Sequence, residues 1–291
     1  MIPVAFDYVR PQTLAEASRT LAAAGAHAVL LSGGQSLMTD LKHRRKRPAL
    51  VIDLQAVEGL SAIAIGSDSV RIGAMARQTD IAGNREIVSR LPLLAEIASV
   101  AADPMVRRRG TLVGAVCAAE QGGDWLAGCL AMDGIVEIAG PHGSRELPLT
   151  EFIRGARSTA LAADEIAVAI RLKPAPAGAR SAYRKVKHIA IGWSIASVAA
   201  AVAADAHGRC TYARIAVSGA TAHPQRLQSL EATLTTLDLR QHDRVRDAVA
   251  ASLSGVTFWG DYYASADYRA GRLAQLVAET IGHLANASAG R

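Results

Sequence analysis

The sequence predicts a mixed α/β chain built from two or three folding units, and three observations carry that reading. From Phe6 to Leu54 the chain alternates strand, helix and strand; a Gly33-Gly34 bend follows directly on a wholly apolar run; and Lys173-Pro174-Ala175-Pro176-Ala177-Gly178 has the composition of a linker. At 291 residues the chain is long enough to bury more than one core.

The elements follow in order. Leu14, Ala17, Leu21 and Ala22 recur at helical spacing, with Thr13 ahead of Glu16 marking the helix start and Gly25 its stop. Ala28-Val29-Leu30-Leu31 then reads as a buried strand, and the two glycines at its end let the backbone turn sharply and approach a ligand with no Cβ in the way. Successive main-chain N–H groups in such a turn form an anion-binding concavity, to which the Gln35 and Ser36 side chains can add neutral hydrogen bonds. The bend lacks the Lys of the phosphate loop and the third Gly of the dinucleotide fingerprint, and on its own a Gly-Gly after a strand is more often an ordinary turn. Another strand runs from Ala49 to Leu54.

Ile63, Ile65, Val70 and Ile72 predict a hairpin around Gly66-Ser67-Asp68. Thr79 caps a helix from near Asp80, and a longer helix covers Leu91 to Val100. Pro104 then turns the chain toward a second glycine-bearing segment, Arg109 to Ala119. Asp124 to Met132 reads as a helix, 134–140 and 145–149 as a hairpin, and 163–172 as a strand. Beyond the linker, 181–188 is extended, and the apolar run Ile191 to Ala204 reads as either strand or helix. Arg209 to Ser218 alternates as a strand. Helices follow over 244–253 and Ser265 to Leu284, the last with Tyr268, Leu273 and Leu276 toward the core.

Composition excludes several classes. No apolar run approaches the roughly 20 residues that cross a bilayer, and Met1-Ile2-Pro3 opens no secretory signal, so the expected compartment is the cytoplasm. Cys117, Cys129 and Cys210 are odd in number and widely spaced, which reads as free thiols; any iron–sulfur chemistry must sit on another chain. The net charge of +6 is concentrated in Lys42 to Arg47 and Arg107 to Arg109, without the interleaved aromatics of a nucleic-acid surface. A phosphate-bearing cofactor, an acidic neighbouring subunit or a solvated loop explains such clusters. There is no Ser/His/Asp or Cys/His nucleophile constellation, and the eight histidines are scattered.

The order of several short words resembles one family. Gly33-Gly34-Gln35-Ser36-Leu37, then Arg71-Ile72-Gly73-Ala74, an Ala102-Asp103-Pro104 turn, Arg109-Gly110-Thr111, Thr159-Ala160-Leu161, Tyr183-Arg184-Lys185 and Ala266-Asp267-Tyr268-Arg269 resemble the flavin subunit of the molybdenum hydroxylases, the xanthine dehydrogenase and carbon monoxide dehydrogenase type. The resemblance covers essentially the whole chain. It implies an α/β fold (α+β): a two-subdomain FAD-binding domain of the vanillyl-alcohol-oxidase type, 1–55 and 56–176, and a C-terminal α/β domain, 177–291, like that of the carbon monoxide dehydrogenase flavoprotein.

The resemblance further implies that FAD lies with its pyrophosphate between the two glycine segments. It carries cofactor-binding roles to Leu31, Ser32, Gly33, Gly34, Gln35, Ser36 and Leu37, and to Thr111, Gly114, Ala115 and Ala118. Asp124 falls toward the adenosine end, Lys185 beside the isoalloxazine, and Trp193 either over the ring or in the core. Arg107 and Asp103 are expected to form a turn and its salt partner. The second segment departs from the family's Thr-Ile-Gly-Gly-Asn pattern: Val113 sets a β-branched side chain where the backbone nears the ligand, and Ala115 and Ala118 lack polar groups. Three contacts at about 1 kcal/mol each predict roughly hundredfold weaker binding. No residue of this chain is expected to act on substrate. The implied partners are a large subunit with the molybdopterin cofactor and a small subunit with 2Fe–2S clusters, in a dimer of heterotrimers. Two other readings stand beside it, a flavin-poor bracing subunit and a free-standing flavin oxidoreductase.

Overall fold

The computed structural model describes residues 2–189 and 192–286. Three larger sheets and one two-stranded ribbon organise the described residues. The N-terminal lobe contains β1 (Asp7–Val9), α1 (Leu14–Ala24), β2 (Ala28–Leu31), α2 (Leu37–Lys42) and β3 (Leu50–Asp53), with β1 and β2 both parallel to the central β3. The helix signals hold: Thr13 Oγ1 accepts the Glu16 N–H at 3.2 Å, the Glu16 carboxylate accepts the Gln12 N–H at 2.9 Å, and Gly25 takes φ +55° at the C-cap. Ala17 and Leu21 are buried on Ile52 and Leu54, which gives α1 its packed face. The helix α2 was not foreseen.

The central lobe contains β4 (Ile63–Ile65), β5 (Val70–Gly73), α3 (Gln78–Gly83), α4 (Arg85–Arg90), α5 (Pro92–Val100), α6 (Pro104–Arg109), α7 (Leu112–Ala118), α8 (Asp124–Ala131), β6 (Ile135–Gly140), β7 (Gly143–Pro148), α9 (Leu149–Phe152), β8 (Ile153–Gly155), β9 (Ser158–Thr159) and β10 (Ile166–Leu172). Its five-stranded antiparallel sheet has the order β4-β5-β10-β6-β7, so both expected hairpins are present and β10 joins them. Val70, Ile72, Ile138 and Ile170 meet Leu94, Ile97, Leu112 and Leu126 in one core, each side chain contributing about 1.5–3 kcal/mol by burial.

Three local readings are corrected here. Arg77, not Thr79, is the N-cap of α3. Pro104 does more than end a helix: at the first position of α6, where no N–H is needed, it starts a new one. Arg107 is structural, yet its guanidinium donates to the carbonyls of Ala101 at 2.9 Å and Ala102 at 2.7 Å, and no ion pair joins it to Asp103 among the described residues.

Residues 173–179 lead to the C-terminal lobe: β11 (Arg180–Lys187), β12 (Ser194–Ala204), β13 (Cys210–Ser218), β14 (Gln225–Arg226), α10 (Gln228–Leu234), α11 (His242–Leu253) and α12 (Ala266–Asn286), its four strands antiparallel in chain order. The ambiguous apolar run is strand β12; Ile191 lies outside the described residues. Ala196, Val198, Ala200 and Val202 pack under the helices of this lobe while Ala199 joins the central core, so both faces are buried and no alternation shows in the sequence. In α12 Leu273 and Leu276 are buried as expected, but Tyr268 is half-exposed and Arg269 takes the inward position. No described helix is long and apolar enough to cross a membrane.

Candidate functional site

The two glycine segments meet. A Cβ built on Gly33 would lie 2.4 Å from the Arg109 carbonyl oxygen and 3.0 Å from the Thr111 nitrogen, so the two backbones touch at a point that only glycine allows. Ser32 Oγ is 2.8 Å from Thr111 Oγ1 and 3.2 Å from the Ala74 carbonyl. Gly34 turns the chain at φ +76°, and Leu31 Cδ1 packs beneath it, 3.3 Å from the position its Cβ would occupy. Ser36 precedes α2, whose first residue Leu37 is half-buried.

Among the described residues no carbonyl receives the main-chain N–H groups of Gly33, Gly34, Gln35 or Ser36. These four consecutive donors, none of them fully buried, make a donor set suited to an anion. The Gln35 side chain does not extend it: its amide nitrogen donates back to the Gly33 carbonyl at 3.1 Å.

The second segment is a helix start. Thr111, read alternatively as a strand residue, is the N-cap of α7, its Oγ1 accepting the Gly114 N–H at 3.1 Å. Leu112, Val113 and Val116 turn into the core; Gly114, Ala115 and Ala118 lie on the half-exposed face beside Thr111 and Ser32. The expectation that Val113 obstructs the ligand is therefore corrected, because its side chain is 2% exposed and faces the opposite way. The missing polar groups at Ala115 and Ala118 do fall on the open face.

A buried cluster stands apart from the bends. Asp124, the first residue of α8, accepts from Tyr183 Oη at 2.6 Å, Ser194 Oγ at 2.7 Å and Lys185 Nζ at 2.8 Å. Lys185 also donates to the Gly192 carbonyl at 3.2 Å, and burial beside Asp124 raises the Tyr183 phenol well above its ordinary value. Asp124 and Lys185 were expected at opposite ends of an elongated ligand. A 2.8 Å contact between buried side chains excludes that: they form one ion pair at one place. Trp193 is half-exposed rather than a core residue, with Cε3 3.3 Å from the Cβ position of Gly122, at the rim of the same cluster. Ser194 was missed, since a single Ser within an apolar run carries no signal of its partner.

Two family descriptions together match nearly the whole chain. Residues 4–175 match the family described as the FAD binding domain in molybdopterin dehydrogenase, and residues 181–284 match the CO dehydrogenase flavoprotein C-terminal domain. The chain belongs to the FAD-binding medium-subunit family of the molybdenum hydroxylases. Among relatives of this medium-subunit family, the 6-hydroxypseudooxynicotine dehydrogenase complex subunit alpha of Paenarthrobacter nicotinovorans is 31% identical, over 97% of this chain and 95% of its own. The carbon monoxide dehydrogenase medium chain of Hydrogenophaga pseudoflava is 36% identical over 68% and 69%.

Solved structures agree in fold across the whole medium subunit. A carbon monoxide dehydrogenase from Hydrogenophaga pseudoflava, lacking the Mo-pyranopterin moiety of its molybdenum cofactor, superposes with a TM-score of 0.94 at 32% identity over 99% of both chains. Quinoline 2-oxidoreductase from Pseudomonas putida 86 gives 0.92 at 25% identity, over 99% of this chain and 100% of its own. The expected fold and the flavin-subunit resemblance are thus borne out, and the chain is an oxidoreductase subunit of a multi-subunit complex.

Proposed function

We propose that this chain holds FAD across the crevice between its first two lobes and passes electrons from 2Fe–2S clusters of a small partner subunit to an external acceptor. A large molybdopterin-bearing subunit would carry the substrate chemistry, in a cytoplasmic dimer of heterotrimers. FAD supplies the exchange between single-electron carriers and a two-electron acceptor; the protein binds, orients and tunes it.

The observation that carries the reading is the contact of Gly33 with the Arg109–Thr111 backbone, which brings the bend whose four N–H groups meet no carbonyl beside the start of α7. In this reading the amides of Gly33, Gly34, Gln35 and Ser36 hold the diphosphate. Leu31, Ser32, Leu37, Thr111, Gly114, Ala115 and Ala118 wall it, and Asp124, Lys185 and Trp193 serve the ring end together. Because Asp124 neutralises Lys185, that ammonium acts as an oriented hydrogen-bond donor rather than a free charge.

Ala115 and Ala118 on the open face favour the second reading, a subunit that braces the complex with little flavin. The flavin content of the purified complex decides between them, together with dye reduction in the presence and absence of partner subunits. Near-stoichiometric flavin, lost in Gly33→Val, and dye reduction that needs the partners are expected. Flavin-free complex from intact cells would favour the bracing role, and activity of the chain alone would favour a free-standing oxidoreductase.

A further inference from the structure

Asp40 is a buried carboxylate outside the two bends. It lies in α2, the short helix that grows from the Gly33–Ser36 bend, and its side chain is 4% exposed. Arg45 Nε donates to its Oδ1 at 2.8 Å. Its other oxygen accepts from Arg157, which belongs to the central lobe, 117 positions along the chain in the turn between β8 and β9. A second guanidinium nitrogen of Arg157 lies 3.1 Å from Glu120 Oε1. Burial pushes the Glu120 carboxyl up and the Arg157 guanidinium beside it pulls it back.

The main chain repeats the connection. The Arg157 N–H donates to the Ala119 carbonyl at 2.9 Å, directly after α7. Both residues are left-handed, Arg157 at φ +56° and Ala119 at φ +45°, a conformation glycine takes at little cost and other residues do not. A side chain kept at a position whose backbone favours glycine points to a task for that side chain.

These contacts make Arg157 a second junction between the N-terminal and central lobes. At the first, the starts of α2 and α7 are joined by Ser32, Gly33 and Thr111. Farther along, the hydrogen bonds that leave α2 for the central lobe, among the described residues, are those of Asp40 with Arg157.

We infer that Arg157 is a latch between the lobes: by binding Asp40 and Glu120 at once it fixes the width of the crevice and the rate at which bound flavin leaves. It is a positioning residue, and the inference rests on the flavin reading above.

The test uses the full-length protein and the variants Arg157→Gly, Arg157→Lys, Asp40→Asn and the Asp40→Asn/Arg157→Gly double. FAD release is followed by recovery of free-flavin fluorescence, and amide hydrogen exchange over 37–42 and 112–118 is measured in flavin-free protein. Arg157→Gly and Asp40→Asn should each speed release about tenfold, the double no more than either single, and Arg157→Lys by an intermediate amount. Flavin-free Arg157→Gly should lose no more stability than Asp40→Asn, because Arg45 still pairs the Asp40 carboxylate and glycine relieves φ +56°. Parental release from Arg157→Gly overturns the latch, as does faster release matched by general destabilisation. If the parent itself binds no flavin, the flavin reading fails separately and exchange decides: faster exchange in both segments supports the latch, and unchanged exchange overturns it.

Discussion

Ser32 and Thr111 stand 79 positions apart in the chain, and their hydroxyl oxygens are 2.8 Å apart. One follows directly on β2, at the start of the first bend; the other caps α7, the helix of the second glycine segment. The pair joins two lobes at the place where their backbones approach closely enough to exclude any side chain.

Replacing Thr111 with Val keeps the shape but removes both the cap on Gly114 and the link to Ser32. A loss of about 1–2 kcal/mol is expected, with most of it restored in Thr111→Ser. Urea unfolding of the purified chain measures it.

Asp124 and Lys185 are both buried, so removing either charge leaves the other uncompensated. Asp124→Asn should cost about 3–5 kcal/mol, and Asp124→Asn with Lys185→Met should recover a large part. A double-mutant cycle in denaturant reads the coupling. Additive losses would contradict a direct pair.

Arg269 is buried where α12 meets the strand ends. Its guanidinium donates to the carbonyls of Ile195 at 2.9 Å and Gly219 at 2.6 Å and to Asp261 at 2.7 Å, and it lies 4.3 Å from the centre of the Trp259 ring. Arg269→Met is expected to cost about 3 kcal/mol, and Arg269→Lys to rescue little, because a single ammonium cannot reproduce the planar fork. Melting temperatures of the two variants check this.

Glu165 gives an acid-limb prediction. Arg145 binds it through two nitrogens, both at 2.6 Å, and this bidentate contact holds the carboxyl below the usual carboxylate range. A lowered folded value means that the stabilisation is complete above the ordinary glutamate value and is lost as pH falls through the folded one. The melting-temperature advantage over Glu165→Gln should therefore be full at neutral pH and shrink below about pH 4. A difference independent of pH would show that the ion pair contributes nothing.

Local features were legible without coordinates. Thr13 and Gly25 bounded α1, the alternation of isoleucines and valines marked the hairpin of β4 with β5, and the glycine words in their order pointed to a flavin subunit. The helix α7 was not legible, because its start, Thr111-Leu112-Val113-Gly114, combines a β-branched pair with glycine and has low intrinsic helix propensity; the Thr111 cap and the burial of Leu112 and Val113 override it. The inward Arg269 was not legible either, since hydrophobic spacing favours Tyr268 for that place and takes no account of carbonyls waiting at the ends of distant strands.

The sequence by itself determined where the chain is strand or helix over its periodic stretches, where it bends, and which family pattern the bends follow. Those properties depend on neighbours a few residues away, which the sequence displays directly. Only the tertiary structure decided that Val113 turns from the crevice, that Asp124 and Lys185 are one pair, and that Arg157 reaches Asp40 across 117 positions. A buried charge must find an opposite charge or enough hydrogen bonds to offset lost hydration, and which residue supplies them depends on how the lobes pack, a relation that spacing along the chain does not contain.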